Sequence, residues 1–322
     1  MANCLVTLIA GRAIEKIYFK TIDEMQNSNF ENLDLLHHLT ASLKAFCGEM
    51  VYIGIDELRQ SCGGAGFLLS AGIADWWTDI SPFPTYEGPT PVMTQQSARL
   101  IFKNADRVAK GKPPLPLFSY LVQKGGDQKS EAHTPEAFSE LDHLERTLAV
   151  RAAYSVTQLR EMMMASKATK KEKENEIFQI EICQLVRLHI VYIFFRMAKE
   201  SISQTSFKEA NLRCHLETAC QIFALKQLIL QNTSLYEAGY FTRGSSRLLA
   251  LSYEAALRKL RPQMVAIVEC FPKAMDHAPT TIGNAFGDIY EMQFEAAKNS
   301  SLNKSVVPTY FETHMKPVMN LR

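Results

Sequence analysis

The stretch LDLLHHLTASLKAFCGEMVYIGIDELRQSC, residues 33–62, decides how the chain is read. Leu35, Leu36, Leu39, Leu43, Phe46, Met50, Ile53 and Leu58 recur at three- and four-residue steps, the spacing of one face of an amphipathic helix, and this face is expected to turn inward. Gly48 and Gly54 weaken the helix without ending it, and Gly63-Gly64 supplies the stop. Upstream, Leu5, Leu8, Ile9, Ala13, Ile17 and Met25 mark a first helix that ends at Asn27-Ser28-Asn29. Downstream, Leu68 to Pro91 reads as a loop carrying Trp76-Trp77, Ser81-Pro82 and Phe83-Pro84, and helical spacing returns from Val92 to Ala109.

Beyond that, Lys112-Pro113-Pro114, Pro116 and Gly125-Gly126 give residues 110–135 the composition of a linker between two packed regions, 1–109 and 136–322. Pro135 suits the first residue of a new helix. From Glu136 to Glu200 a long amphipathic pattern is broken by the charge run Lys167 to Glu174, which reads as a solvated helix face or turn. Further helices fit Phe207 to Gln231, Gly244 to Leu260, Pro262 to Cys270 and Thr281 to Asn299. No alternating strand pattern competes and no fixed-period repeat is visible, so the expected fold is all-α, built from bundles rather than a solenoid.

Composition narrows the function classes. The chain has 322 residues, 47% hydrophobic and 21% charged, which excludes disordered and collagen-like classes. Thirty-five Lys and Arg against 34 Asp and Glu leave a formal charge of +1, without the field a phosphate backbone requires, so nucleic acid is not an expected partner. Seven cysteines, Cys4, Cys47, Cys62, Cys183, Cys214, Cys220 and Cys270, form no C-x-x-C pair and read as reduced, mostly buried thiols. The most apolar stretch, Ile177 to Met197, contains Glu181, Arg187 and Arg196 and is expected to be a buried helix, not a membrane span. Arg12, Glu15 and Lys16 interrupt the N-terminus too early for a secretory signal.

Two short segments carry chemistry. In Gln60-Ser61-Cys62-Gly63-Gly64-Ala65-Gly66-Phe67 a helix ends in three glycines, which let the main chain approach a ligand and turn its N–H groups toward a phosphate; a plain helix cap accounts for the same residues. In Pro84-Thr85-Tyr86-Glu87-Gly88 a carboxylate stands between an aromatic and a glycine. With little water around it, its pKa would rise and it would serve as a general base; an exposed loop Glu is the plainer reading.

Together these segments resemble the C-terminal half of an acyl-CoA oxidase, in the acyl-CoA dehydrogenase superfamily. The resemblance rests on Leu39-Thr40-Ala41-Ser42-Leu43-Lys44-Ala45-Phe46, Cys62-Gly63-Gly64-Ala65-Gly66, Thr85-Tyr86-Glu87-Gly88, Val92-Met93 and Gln95-Gln96-Ser97-Ala98-Arg99. It extends to the tail through Leu260-Arg261-Pro262, Asp288-Ile289-Tyr290-Glu291 and residues 296–304. It implies FAD-dependent α,β-desaturation of a fatty acyl-CoA, with O2 reduced to H2O2. Glu87 would take the α-proton while its backbone N–H helps polarise the thioester carbonyl. Gln60, Gly63, Gly64 and Gly66 would reach the FAD of a partner subunit, which implies a homodimer.

The chain departs from the family pattern at four points. Ala65 replaces the histidine of the glycine turn, and Pro89-Thr90-Pro91 follows Gly88 where the family has an Asn and a Thr. The last residues, Asn320-Leu321-Arg322, are not the peroxisomal Ser-Lys-Leu, so the peroxisome is implied by resemblance alone and the cytoplasm is the other expectation. The family's N-terminal helical and middle β-domains have no counterpart, so the polypeptide alone is expected to be inactive, whether as a fragment, a truncated gene product or a subunit completed by another chain. The rival expectation is a non-catalytic helical scaffold or dimerisation subunit.

Other residues carry plainer expectations. His37 and His38 point about 100° apart on a helix and cannot share a metal. They are expected in a core or interface, His189 in the core, and no metal site is proposed. Trp76-Trp77 with Phe83 is expected to anchor its loop, and Cys62 to be a small buried thiol.

Overall fold

A helix with apolar residues all round gains nothing from a water-facing side and is driven to the centre of its domain. In a computed structural model this is the position of residues 179–204, from Ile182 to Ile202 buried on most of their circumference. The structure describes residues 1–122, 129–271, 280–283 and 288–319. Its helices are α1 (Ala2–Gln26), α2 (Leu33–Ser61), α3 (Ile73–Ile80), α4 (Thr90–Ala109), α5 (Pro135–Phe138), α6 (Leu141–Ala165), α7 (Lys170–Glu172), α8 (Gln179–Gln204), α9 (Ala210–Leu230), α10 (Thr233–Glu237), α11 (Ser245–Leu260), α12 (Met264–Glu269), α13 (Ile289–Asn299) and α14 (Lys316–Met319). Short 3-10 and π segments fill several connections, and no strand occurs among the described residues. The fold is all-α. No single helix among the described residues is long and apolar enough to cross a membrane.

Contacts divide the chain into two units, Met1–Val51 with Phe83–Val265, and Tyr52–Pro82 with Ala266–Arg322. In the first, α8 packs against α1, α4, α6 and α9, and α9 against α11. Phe194, Phe195, Phe223, Leu144 and Leu148 fill the space between them without solvent exposure. Phe46 of α2 meets Phe194 and Phe223 edge-on, with centroids 5.4 and 6.3 Å apart. Arg151 of α6 is also fully buried, and its Nη1 donates to the carbonyls of Gln227 and Gln231, both at 2.8 Å, closing the C-terminus of α9.

A polar chain runs through the same core. His38 Nδ1 lies 2.9 Å from the Ser97 carbonyl and 3.0 Å from Ser97 Oγ, which is itself bonded to Ser42 Oγ. His38 Nε2 meets His189 Nε2 at 3.0 Å, and His189 Nδ1 meets the Tyr120 hydroxyl at 2.7 Å. A carbonyl only accepts, so His38 Nδ1 carries the proton; its Nε2 then accepts from His189 Nε2–H, and His189 Nδ1 accepts from Tyr120 O–H. Two neutral rings satisfy every nitrogen. Burial drives the His38 pKa down to about 4 and that of His189 well below the ordinary range, and it pushes the Tyr120 hydroxyl well up. Phe118 stacks on His189 at 5.0 Å.

Several expectations change. The buried residues of α1 are Leu5, Val6, Thr7, Ala10, Ile14 and Thr21, while Leu8 is exposed, and Ile53 and Leu58 of α2 face solvent. Residues 68–91 are not all loop, because Ile73-Ala74-Asp75-Trp76-Trp77 begins an eight-residue helix, α3. The stretch read as a linker is packed at Pro116–Val122, where Phe118 and Tyr120 are buried; its residues 123–128 lie outside the described residues. The helix opened by Pro135 lasts only to Phe138, and the charge run is exposed except at its edges, with Thr169 and Glu172 in a capping box. The last predicted helix starts at Ile289 rather than Thr281, with residues 284–287 outside the described set. Of the cysteines only Cys220 is buried, and Cys62 is exposed. Burial raises the Cys47 and Cys220 thiols to about 12.

In the second unit the end of α2 leads through turns at Gly63–Phe67 and Leu69–Ala71 into α3. Thr281 donates to the Ser70 carbonyl through both its N–H, at 3.1 Å, and its hydroxyl, at 3.0 Å. A groove of about 880 Å³ lies between Leu68, Leu69 and Trp77 on one side and Ala296, Ala297 and Leu302 on the other.

Candidate functional site

Glu87 belongs to the first unit, on the turn that enters α4. Its backbone is left-handed, with φ of 53°, and Gly88 follows at 96°. For an L-residue other than glycine this conformation costs roughly 1–2 kcal/mol, so something must hold it. At Gly88 the φ of 96° is what reserves the position for glycine; a Cβ there would also stand 2.5 Å from Met93 Cε, the end of a flexible side chain. The turn is closed by Thr90, whose N–H and hydroxyl donate to the Pro84 carbonyl at 3.0 and 3.3 Å. Pro89 caps α4 and Pro91 lies in its first turn, where a missing N–H leaves no hydrogen bond unmade; this is why Pro89-Thr90-Pro91 suits the position.

Helix α2 supports the turn from beneath. Lys44 Nζ donates to the Phe83 carbonyl at 3.0 Å and to the Gly88 carbonyl at 2.6 Å, and stands 5.6 Å from the centre of the Tyr86 ring. Gly48, one helical turn later, brings the helix surface close to the turn, since a Cβ there would lie 3.2 Å from the Phe83 oxygen. Phe83 and Tyr86 meet edge-on at 5.4 Å. The Glu87 side chain is exposed, so the water-poor hollow expected around it is not formed by the described residues of this chain. Neither Lys44 nor Gly48 stood out in the sequence as a support for Glu87; the only signal was a lysine within an apolar helix face.

The glycine turn belongs to the second unit. After Ser61 the chain turns at Gly63, φ 57°, and then tightens into a 3-10 turn over Gly63–Phe67. Gly66 is buried, and a Cβ there would lie 2.0 Å from the Arg59 carbonyl, so the turn folds back onto the end of α2 only because residue 66 has no side chain. Gly63 and Gly64 are exposed, and among the described residues nothing would lie within 4 Å of a Cβ at either position. Gln60 is exposed, and its Nε2 donates to Asp56 Oδ2 at 2.7 Å; Arg59 donates to Oδ1 of the same carboxylate at 2.8 and 3.0 Å. Arg59, then Gln60, hold the Asp56 carboxyl below its usual range. The helix-cap reading of the glycines thus describes their local geometry, and Gln60 faces outward beside them.

Trp76 and Trp77 lie on α3, and the Trp77 indole N–H is buried with no partner among the described residues. His37 is exposed and His38 is in the core, as their spacing requires. Among the described residues no group of three or more His, Cys, Asp or Glu side chains is placed to hold a metal ion.

Comparison with known proteins gives these features a setting. A family model described as acyl-CoA oxidase matches residues 140–320, and one described as the acyl-CoA oxidase C-alpha1 domain matches residues 1–102. Peroxisomal acyl-coenzyme A oxidase 1 of Mus musculus is 28% identical over 326 residues, covering 96% of this chain and 48% of that protein. The Arabidopsis thaliana protein of the same name is 25% identical, covering 99% of this chain and 48% of its own length. Among solved structures, Arabidopsis thaliana acyl-CoA oxidase 1 superposes with a TM-score of 0.92 at 22% identity, covering 99% of this chain and 48% of that one. An acyl-CoA oxidase from Lycopersicon esculentum (tomato) superposes at 0.88 and 23% identity, covering 98% and 49%. Acyl-CoA oxidase-1 of Caenorhabditis elegans, in a complex with FAD and ATP, superposes at 0.84 and 23% identity, covering 97% and 47%. The chain spans about half the length of the curated relatives it matches. On the family models and their combined reach along the sequence, the chain belongs to the acyl-CoA oxidase family.

Proposed function

We propose that this chain supplies the C-terminal helical part of an acyl-CoA oxidase acting on fatty acyl-CoA thioesters, with regions 1–109 and 136–322 as its two helical domains. The observation that carries the reading is the left-handed Glu87-Gly88 pair at the mouth of α4, a strained backbone kept in place by surrounding contacts. Glu87 is the base that takes the α-proton of the thioester, and its backbone N–H donates to the thioester carbonyl, stabilising the enolate-like charge that grows there. The carboxylate must then be screened from water by surfaces that this chain's described residues do not provide, since its side chain is exposed.

FAD is the proposed cofactor; when bound, it would supply the acceptor for the hydride that leaves the β-carbon, and reoxidation by O2, which takes up two electrons and two protons in all, would give H2O2. Gln60, Gly63, Gly64 and Gly66 would hold it, across a homodimer or together with a matching N-terminal half. The fit is in the turn itself, where the exposed main chain of Gly63 and Gly64 admits close approach of a pyrophosphate. The peroxisome is the proposed compartment, from the names of the relatives.

Expressing the chain with and without a matching N-terminal half tests the proposal. Flavin absorbance and peroxide production should appear only with both parts, and should vanish for Glu87→Gln. Full activity with Gln at position 87 would remove that residue from the mechanism. The exposed carboxylate favours a second reading, a helical scaffold or dimerisation subunit without chemistry. Stable association with an N-terminal half that never takes up flavin would favour this second reading.

A further inference from the structure

We infer that Lys44 is the positioning residue for Glu87, a role that rests on the reading of Glu87 as the base. The turn that carries Glu87 is poor in its own donors, because Pro84, Pro89 and Pro91 each lack an N–H. Its carbonyls therefore need a donor from outside, and the ammonium group of Lys44 provides one to the Phe83 and Gly88 carbonyls, each of which precedes a proline. These two oxygens bracket Glu87 in the chain. Fixing both leaves the four residues between them, Pro84 to Glu87, a short span in which to accommodate the left-handed turn.

The anchor is itself rigid. On α2 the flanking Ala41 and Ala45 are buried, and Ser42 is bonded to Ser97 of α4. Lys44 thus carries the register of the helix pair to the turn, and the Tyr86 ring 5.6 Å from its nitrogen adds a cation–π contact on the side of Glu87. A neutral side chain of similar length keeps the apolar contacts and loses both donors. Arginine keeps the charge and the donors with a different geometry.

The test compares Lys44→Met with Lys44→Arg. Its first arm uses the chain alone and reads hydrogen exchange at the Thr90 amide, which donates to the Pro84 carbonyl across the turn. Lys44→Met should speed this exchange roughly tenfold or more while amides of the α6 and α8 core keep their rates, and Lys44→Arg should recover part of the protection. Unchanged exchange at Thr90, or an equal acceleration through the core, overturns the inference. The second arm uses the oxidase assembled with a matching N-terminal half. There Lys44→Met should lower kcat roughly tenfold or more with KM moved less than about threefold, and Lys44→Arg should be intermediate. A change confined to KM overturns the positioning role. Glu87→Gln separates the two claims: activity that survives it ends the base assignment, while the exchange result still decides whether Lys44 holds the turn.

Discussion

Acidification should destabilise this protein well before its carboxylates are protonated, because of the buried His38–His189 pair. In the folded chain His38 titrates near about 4 and His189 also falls well below the ordinary histidine value of 6.5, so between those values the unfolded chain binds protons that the folded chain refuses. Stability is then fully present above pH 6.5 and is lost as pH falls toward the folded-state values. The structural cause is the Nε2 to Nε2 bond at 3.0 Å, which holds one proton: a second would set two donors against each other in a site without water access. For His38 alone, a fall from about pH 6.5 to 4.5 costs roughly 2–3 kcal/mol, and His189 acts with the same sign. The His38 figure alone is a sizeable part of the roughly 5–15 kcal/mol that holds an ordinary domain. Urea denaturation of the chain followed by circular dichroism at several pH values between about 7 and 4.5 measures the slope. The double variant His38→Gln with His189→Gln, neutral throughout, should be less stable near neutrality but lose most of the slope. A wild-type midpoint that stays flat over this range, or a variant that falls as steeply, would refute the reasoning.

Three further outcomes follow from the geometry. Arg151→Met should cost about 1–2 kcal/mol in urea denaturation, because the Gln227 and Gln231 carbonyls at the end of α9 lose their buried donor while the guanidinium Nε and Nη2, buried without a partner among the described residues, are removed with it, and Arg151→Lys should recover part of the loss. Gly66→Ala should open the turn after α2, since its methyl would meet the Arg59 carbonyl at 2.0 Å, whereas Gly64→Ala should be silent; limited proteolysis across residues 60–72 distinguishes them. Glu87→Gly should leave stability unchanged or raise it by up to about 1 kcal/mol, the strain it relieves being partly offset by the freedom glycine adds to the unfolded chain; a clear loss of stability would mean that the carboxylate is a structural partner.

Much of the architecture could be read from spacing. The limits of α2 and α4 follow within a residue or two from apolar periodicity, Gly63-Gly64 and the prolines before Val92, and the burial of α8 follows from its lack of a polar face. What escaped reading depends on distant partners. Helix α3 is short and lies between a glycine and a proline cluster, so local punctuation outweighed the helical preference of Ile73 to Ile80. The apolar stripe of α1 shifted by a residue because neighbouring Leu5 and Val6 both fit a helical spacing and only packing chooses between them. Tyr120 lay in a proline-rich stretch whose composition hid its burial. His38 and His189 are 151 residues apart, and Lys44 precedes its two carbonyl partners by 39 and 44 residues. No local pattern reports such pairings. Glu87 and Gly63, Gly64 and Gly66 were identified as motifs, but the exposure of the carboxylate depends on what lies above it and not on the motif.

The one-way order of protons from Tyr120 through His189 and His38 to Ser97 has a consequence for how the core can vary. Each member gives to the next and takes from the one before, so replacing any one of them with a side chain of the wrong donor pattern strands a neighbour. Positions 38, 120 and 189 therefore make up a single heritable unit: a lineage that exchanges one histidine for an apolar residue should carry a compensating change at the other two, and chimeras that mix the two versions should fold poorly even where each parent folds well.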